Sequence, residues 1–151
     1  MPIGEDGIIS SALQTCHAGA LHVTPFNSYP SRITASASKR HEYAAWAVEK
    51  GSYIVEDDYD SEFSSVTKYI DTIYSLCPEH VIYLNTFSRT IMPSMRMAYM
   101  VLPEGLAARY REKLGFYSCT VPVYEQYVLA EYINSGELER YINRRRRKMK
   151  K

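Results

Sequence analysis

The sequence predicts an α/β fold: a four-stranded, mostly parallel sheet whose last strand is antiparallel, with flanking helices and a helical C-terminal part. Three observations carry this. The run 81–84, Val-Ile-Tyr-Leu, is apolar, β-branched and aromatic, and it ends abruptly in Asn85, Thr86, Phe87, Ser88 and Arg89. A buried strand of an α/β sheet reads this way where it delivers its last residues to a site. Similar runs near 20–24 and 52–57 are separated by helical periodicity, which implies parallel strands with right-handed crossovers. The next run, 96–102, comes after only about ten residues without a clear helix, which favours an antiparallel return.

Taken in order, residues 1–8 form an extended lead-in, because Pro2, Gly4 and Gly7 oppose a helix. Residues 9–16 make a short helix. Residues 20–24 form a strand stopped by Pro25, with His22 in mid-strand as a structural histidine, since no second ligand lies at metal-binding spacing. Residues 25–33 are a loop holding Asn27 and Ser28. Ser36 or Ser38 caps a helix running to Lys50, with Tyr43, Ala44, Ala47 and Val48 as its apolar stripe, Trp46 beside it and Gly51 as its stop. The strand near 52–57 comes next, and residues 70–76 offer one or two helical turns. After the strands at 81–85 and 96–102 come three helices, 104–116, 121–133 with Pro122 in its first turn, and 137–149.

At 151 residues and 46% hydrophobic content the chain is bounded as one globular domain. No run is apolar enough to span a bilayer, and the N-terminus lacks the basic and apolar regions of a secretory signal. Cys16, Cys77 and Cys119 are odd in number and widely spaced, so free thiols in a reducing cytoplasm are expected. The net charge of +1 hides an asymmetry. Seven positive charges lie within residues 144–151, and the rest of the chain is acidic. The helix carrying these cations is expected to expose its basic end and to extend away from the core, because clustered cations are not buried without partners.

Two polar stretches carry the chemistry. The first, Glu56-Asp57-Asp58-Tyr59-Asp60-Ser61-Glu62-Phe63, gathers carboxylates and a tyrosine at the end of a strand. It admits three readings: oxygen ligands for a divalent cation, one carboxylate presented to a cationic ring nitrogen, or a solvated loop. The second holds Thr86, Ser88, Arg89 and Arg96, two hydroxyls and two guanidinium forks that suit a phosphate. Its plain alternative is a polar surface loop. No glycine-rich phosphate loop and no hydrolase-type Ser/His/Asp spacing is present.

Together, Val55 through Phe63 and Tyr83-Leu84-Asn85-Thr86-Phe87-Ser88-Arg89-Thr90 closely resemble the aminotransferase-like domain of MocR-type regulators in the GntR superfamily. Val23-Thr24-Pro25, Tyr29-Pro30-Ser31 and Met97-Ala98-Tyr99-Met100-Val101-Leu102-Pro103 agree in order and spacing, so the resemblance covers essentially the whole chain. It implies the fold of type I pyridoxal-phosphate (PLP) enzymes, the class I/II aminotransferases, here as a partial large domain. The winged-helix domain and the small C-terminal domain are expected to be absent. By resemblance, Asp57 pairs with the pyridinium nitrogen, Tyr59 bonds the phenolic oxygen, and Thr86, Ser88 and Arg96 hold the phosphate. Asn27 borders the ring, where relatives often carry histidine. The turn Pro30-Ser31-Arg32 has arginine where the family has glycine, which enters a positive-φ conformation more easily.

Arg89 stands where the family has the lysine that attaches the cofactor as a Schiff base. That attachment needs a neutral amine, and arginine stays protonated. The resemblance with this departure implies a truncated PLP domain without aminotransferase activity of its own, binding PLP non-covalently at best. One alternative is a module for PLP or an amino-acid-like small molecule, completed by a second copy or a partner chain. Another is a nucleic-acid-associated protein using the basic tail, although nucleic acid is not expected as a partner without the winged-helix domain. No membrane partner is expected.

Overall fold

The computed structural model describes residues 1–59, 61–63 and 71–149. A small antiparallel hairpin, β1 (Ile3–Gly4) and β2 (Gly7–Ile8), opens the chain where only an extended lead-in was expected. A short helix, α1 (Ser10–Gln14), leads to the main sheet. That sheet comprises β3 (Ala20–Val23), β4 (Tyr53–Asp57), β5 (Val81–Thr86) and β6 (Ala98–Val101), side by side in sequence order. β3, β4 and β5 are parallel, and β6 returns antiparallel. The four predicted strands and their directions are therefore present.

The crossover from β3 to β4 is α2 (Ala37–Lys50). Ser36 caps it by accepting from the Lys39 amide, and Gly51 ends it in the left-handed region at φ 59°. Both ends arise from local chemistry: a hydroxyl satisfies an orphan amide, and glycine turns left-handed without a Cβ penalty. Tyr43, Ala44, Trp46 and Ala47 face the sheet and are buried. Val48, expected in the stripe, is 55% exposed, while Trp46 belongs to the core. The reason is angular: with Arg40, Tyr43 and Ala47 setting the buried face, position 48 has turned past its edge at 3.6 residues per turn. Leu13, Leu21, Val23, Ile54, Ile73 and Val81 complete this core on one face of the sheet.

α3 (Ile73–Leu76) and a 3-10 turn (Pro78–His80) deliver the chain to β5. α4 (Phe87–Thr90) and a second such turn (Pro93–Met95) join β5 to β6. Then come α5 (Glu104–Leu114), α6 (Val123–Asn134) and α7 (Glu137–Met149). The tail helix departs from expectation. Its cationic end is exposed, yet it does not project from the body. Tyr141 donates to the Ile91 carbonyl at 3.2 Å, and Arg146 Nε donates to the Glu62 carbonyl at 2.5 Å. The Arg145 guanidinium lies 5.0 Å from the Phe63 ring centroid. The Arg145 guanidinium thus docks on an aromatic ring and the Arg146 guanidinium on a backbone oxygen while both residues stay exposed, so burial of charge is avoided without the helix leaving the core.

The turn at Arg32 forms despite the missing glycine. Arg32 takes φ 58°, its amide bonds Ser28 O at 2.5 Å, and Ser28 N bonds Ile33 O at 2.9 Å. Asp60, Lys68 and the rest of 64–70 lie outside the described residues, as do Lys150 and Lys151.

Candidate functional site

Parallel β4 and β5 end at the same edge of the sheet, and this brings the two polar stretches together. Asp57, the last residue of β4, is in register with Leu84 of β5, and Thr86, the last of β5, pairs with Ala98 of β6. Side chains alternate along a strand, so Asp57, Leu84 and Thr86 share one face. Glu56 and Asp58 therefore turn to the opposite face, against α2 and α3.

Asp57 is the half-exposed member of the acidic run. Its Oδ2 lies 3.4 Å from His22 Nε2, with side-chain exposures of 36% and 60%. His22 is thus not an interior histidine; the alternation that buries Leu21 and Val23 sends it to the open face beside Asp57. The Tyr59 hydroxyl donates to the Asn27 carbonyl at 2.7 Å, which ties the end of β4 to the loop after β3. Asn27 sits at φ 52°, a conformation asparagine tolerates better than most residues, and its amide donates to Thr34 Oγ1 at 3.1 Å.

Thr86 caps α4. Its Oγ1 accepts from the Ser88 amide at 3.1 Å and donates to the Met97 carbonyl at 3.1 Å. A threonine hydroxyl has one proton and two lone pairs, so holding an anion through Thr86 means exchanging the Met97 contact. A backbone bond from Phe87 N to Met97 O, at 2.9 Å, clamps the same two segments. Arg89, third residue of α4, is exposed, and so is Arg96, which takes φ 37° shortly before β6. The edge therefore presents a carboxylate, a phenol, hydroxyls and two permanent cations. Such a carboxylate can pair with a cationic group, and such hydroxyls and cations can receive an anion.

Behind the edge lies a buried polar network. Tyr83 donates to Asp58 Oδ2 at 2.7 Å, and Ser61 donates to the same oxygen at 2.8 Å. Asn85 Nδ2 donates to Glu62 Oε1 and to Tyr83 Oη, each at 3.0 Å. Burial pushes the carboxyls of Asp58 and Glu62 up, against the pull of these hydrogen bonds. Burial and the bond to Asp58 hold the Tyr83 phenol far above its ordinary range. Among the described residues, Asp58 Oδ1 and Glu62 Oε2 are buried without a hydrogen-bond partner. So Glu56 and Asp58 are not part of a solvated loop: they turn to the core side, while Asp57 faces the open side. Among the described residues no group of three or more His, Cys, Asp or Glu is arranged to hold a metal ion. Sequence reasoning missed Asn85 and Tyr83 as the supports of this edge; their signal was the same alternation. A cavity of about 430 Å³ opens beside the network, with Thr86 and Glu62 on one wall and Ile133, Leu138 and Ile142 of α6 and α7 on the other.

No protein-family model matches the chain. Among curated proteins it is similar to the uncharacterised HTH-type transcriptional regulator YdeL of Bacillus subtilis, 33% identical over 152 residues, covering 100% of this chain and 33% of that protein. It is likewise similar to the HTH-type pyridoxine biosynthesis transcriptional regulator PdxR of Corynebacterium glutamicum, 33% identical over 147 residues, covering 97% of this chain and 32% of that protein. Among solved structures, the kynurenine aminotransferase of Pyrococcus horikoshii, in complex with PMP, superposes with a TM-score of 0.81 at 25% identity, over 97% of this chain and 39% of that one. The chain thus spans about a third of the length of the curated relatives it matches. It has the aminotransferase fold, and its homologues are MocR/GntR-type regulators and aminotransferases.

Proposed function

We propose that the chain is a pyridoxal-phosphate-binding, aminotransferase-like module that holds its cofactor non-covalently and does not carry out transamination by itself. The observation that carries the reading is the meeting of Asp57 and Thr86 on one face at one edge of the sheet, with Arg89 three residues beyond Thr86. In this reading Asp57 faces the ring nitrogen and keeps it protonated, and His22 orients that carboxylate from β3. Tyr59 hydrogen-bonds the ring's phenolic oxygen, and Asn27 borders the ring. Thr86, Ser88 and Arg96 receive the phosphate. When bound, the protonated ring supplies an electron sink.

Arg89 limits the chemistry of this edge. Covalent attachment and the later proton transfers need an amine that loses its proton near neutral pH. A guanidinium with a pKa above about 12 supplies neither. Of the described lysines, Lys39 is committed to Glu42 and Ser10, at 2.7 and 2.9 Å.

A partner is supported by one further observation. On the face that carries Asp57, residues Ala20, His22, Ala98 and Met100 are exposed. A second chain, or further protein of the kind that the longer relatives contain, would cover it.

Borohydride treatment of the PLP-loaded protein, with mass spectrometry of the product, tests the reading. No PLP-sized adduct is expected at position 89, and Arg89→Lys should give a partial adduct there with little turnover. An adduct on another lysine, together with transaminase turnover by the unaltered chain, overturns it.

A further inference from the structure

We propose that the cavity between the β5–β6 end of the sheet and helices α6 and α7 is a binding site for a small organic cation with an apolar body, whose ammonium group pairs with Glu62. The inference does not rest on the cofactor reading. Asn85 pairs with Tyr99 across β5 and β6, and Leu84 pairs with Asp57 across β5 and β4. The strand's period of two therefore turns Asn85 and Tyr99 to the face opposite Asp57. The cavity, of about 430 Å³, lies against that face, with Thr86 bordering it at the end of β5. Its size is that of a small-ligand site.

The lining divides by chemistry. Ile133, Leu138 and Ile142 make an apolar wall that suits an apolar body. Opposite them stand Phe87 and Tyr99, with ring centroids 5.4 Å apart, and the carboxyl group of Glu62. Aromatic faces beside a carboxylate attract a cation. The other polar side chains of this wall are already engaged. Asn85 donates to Glu62 Oε1 and to Tyr83 Oη and accepts from the Thr86 amide at 2.6 Å, and Thr90 Oγ1 donates to the Thr86 carbonyl at 3.2 Å. Glu62 Oε2 has no hydrogen-bond partner among the described residues, and it is buried, which is unfavourable for an acceptor. The terminal torsion of a glutamate is broad, so a small rotation turns that oxygen toward a donor arriving in the cavity. Arg146 spends its Nε on the Glu62 carbonyl, not on the carboxylate. Burial holds the Glu62 carboxyl up, and an ammonium group beside it favours the ionised form.

The test titrates benzylamine and benzyl alcohol, a cation and a neutral molecule of the same shape, into the full chain by isothermal calorimetry at pH 7. The amine is expected to bind at one site, more tightly than the alcohol by about tenfold, the scale of a hydrogen bond to a charged group. Glu62→Gln keeps the side chain's length and an oxygen for Asn85, and should erase the preference. Ile142→Trp fills the cavity from the apolar wall with the carboxylate intact, and should abolish binding of both probes. Circular dichroism checks that each variant is folded, and if one is not, the other decides. Equal binding of the two probes, a preference that survives Glu62→Gln, amine binding that survives Ile142→Trp, or no binding of the amine at millimolar concentration overturns the inference. Each of these outcomes leaves the cofactor reading standing, since Asp57 lies on the other face of the sheet.

Discussion

The carboxylate of Glu56 accepts the backbone amide of Ile73 at 2.9 Å, and that of Tyr74 at 2.8 Å, although Glu56 is 0% exposed. It thereby caps α3 from the interior of the sheet. Desolvation by burial outweighs these bonds and the Arg40 charge, and raises its pKa to about 7 from an ordinary 4.5. The folded state therefore binds this proton more tightly than the unfolded one. Its contribution to stability is fully present below about pH 4.5 and is lost as pH rises through about 7, on the order of 3 kcal/mol. Thermal unfolding of wild type and Glu56→Gln between pH 5 and pH 8 measures it. The variant should lose much of the decline with rising pH; an unchanged decline would refute the assignment.

Arg40 is 1% exposed and donates to three carbonyls, those of Ala35 at 3.1 Å, Asp71 at 3.0 Å and Pro25 at 3.3 Å. Its guanidinium also lies 3.9 Å from the centroid of Phe26. It binds α2 to the loop after β3 and to the approach to α3. Arg40→Met keeps much of the apolar stem and removes the donors, so a loss of roughly 2–4 kcal/mol is expected by urea unfolding. A loss below about 0.5 kcal/mol, the size typical of surface substitutions, would show that water replaces these bonds at no cost.

Arg32 and its φ of 58° give a stabilising substitution. A left-handed residue with a Cβ costs about 1–2 kcal/mol, which glycine avoids while losing about 0.5–1 kcal/mol in chain entropy. Arg32→Gly should gain roughly 0.5–1 kcal/mol in unfolding free energy. Destabilisation instead would mean that the exposed Arg32 side chain makes contacts worth more than the strain.

Ser36 is the N-cap of the crossover helix, accepting from Lys39 N at 3.1 Å and bonding Asp6 Oδ2 at 2.9 Å. Ser36→Ala should cost about 1 kcal/mol, and Ser36→Asp should lose most of the Asp6 contact while keeping the cap. Chemical denaturation of both variants separates the two roles. Equal losses would assign the effect to the Asp6 bond rather than the cap.

Much of the fold was legible in local pattern. The runs at 81–84 and 52–57, Ser36 and Gly51 around α2, and Pro122 before α6 each announce an element through backbone chemistry that needs no distant partner. What was not legible depended on facing. Val48 and Trp46 exchanged roles because, two residues apart, they lie on nearly opposite sides of the helix at about 100° per residue, and only the packed sheet fixes its phase. His22 reads as a structural histidine because no second ligand lies at metal-binding spacing, yet the strand's period of two carries it outward to Asp57. The basic helix was expected to stand away, since charge alone does not reveal that Tyr141, Arg145 and Arg146 find docking points on Ile91, Phe63 and Glu62.

The sequence by itself determined the order and direction of the strands, the polar residues gathered at their ends, and the presence of arginine at position 89. Chain connectivity and residue chemistry are sufficient for these. Only the tertiary structure decided which carboxylates are buried and which face the edge. Glu56, Asp57 and Asp58 are chemically near-identical neighbours, and the one thing that separates them is the pleat of β4 between a covered and an uncovered face. Burial on the covered face raises the carboxyls of Glu56 and Asp58, and the open face leaves Asp57 beside His22 at the same edge as Thr86.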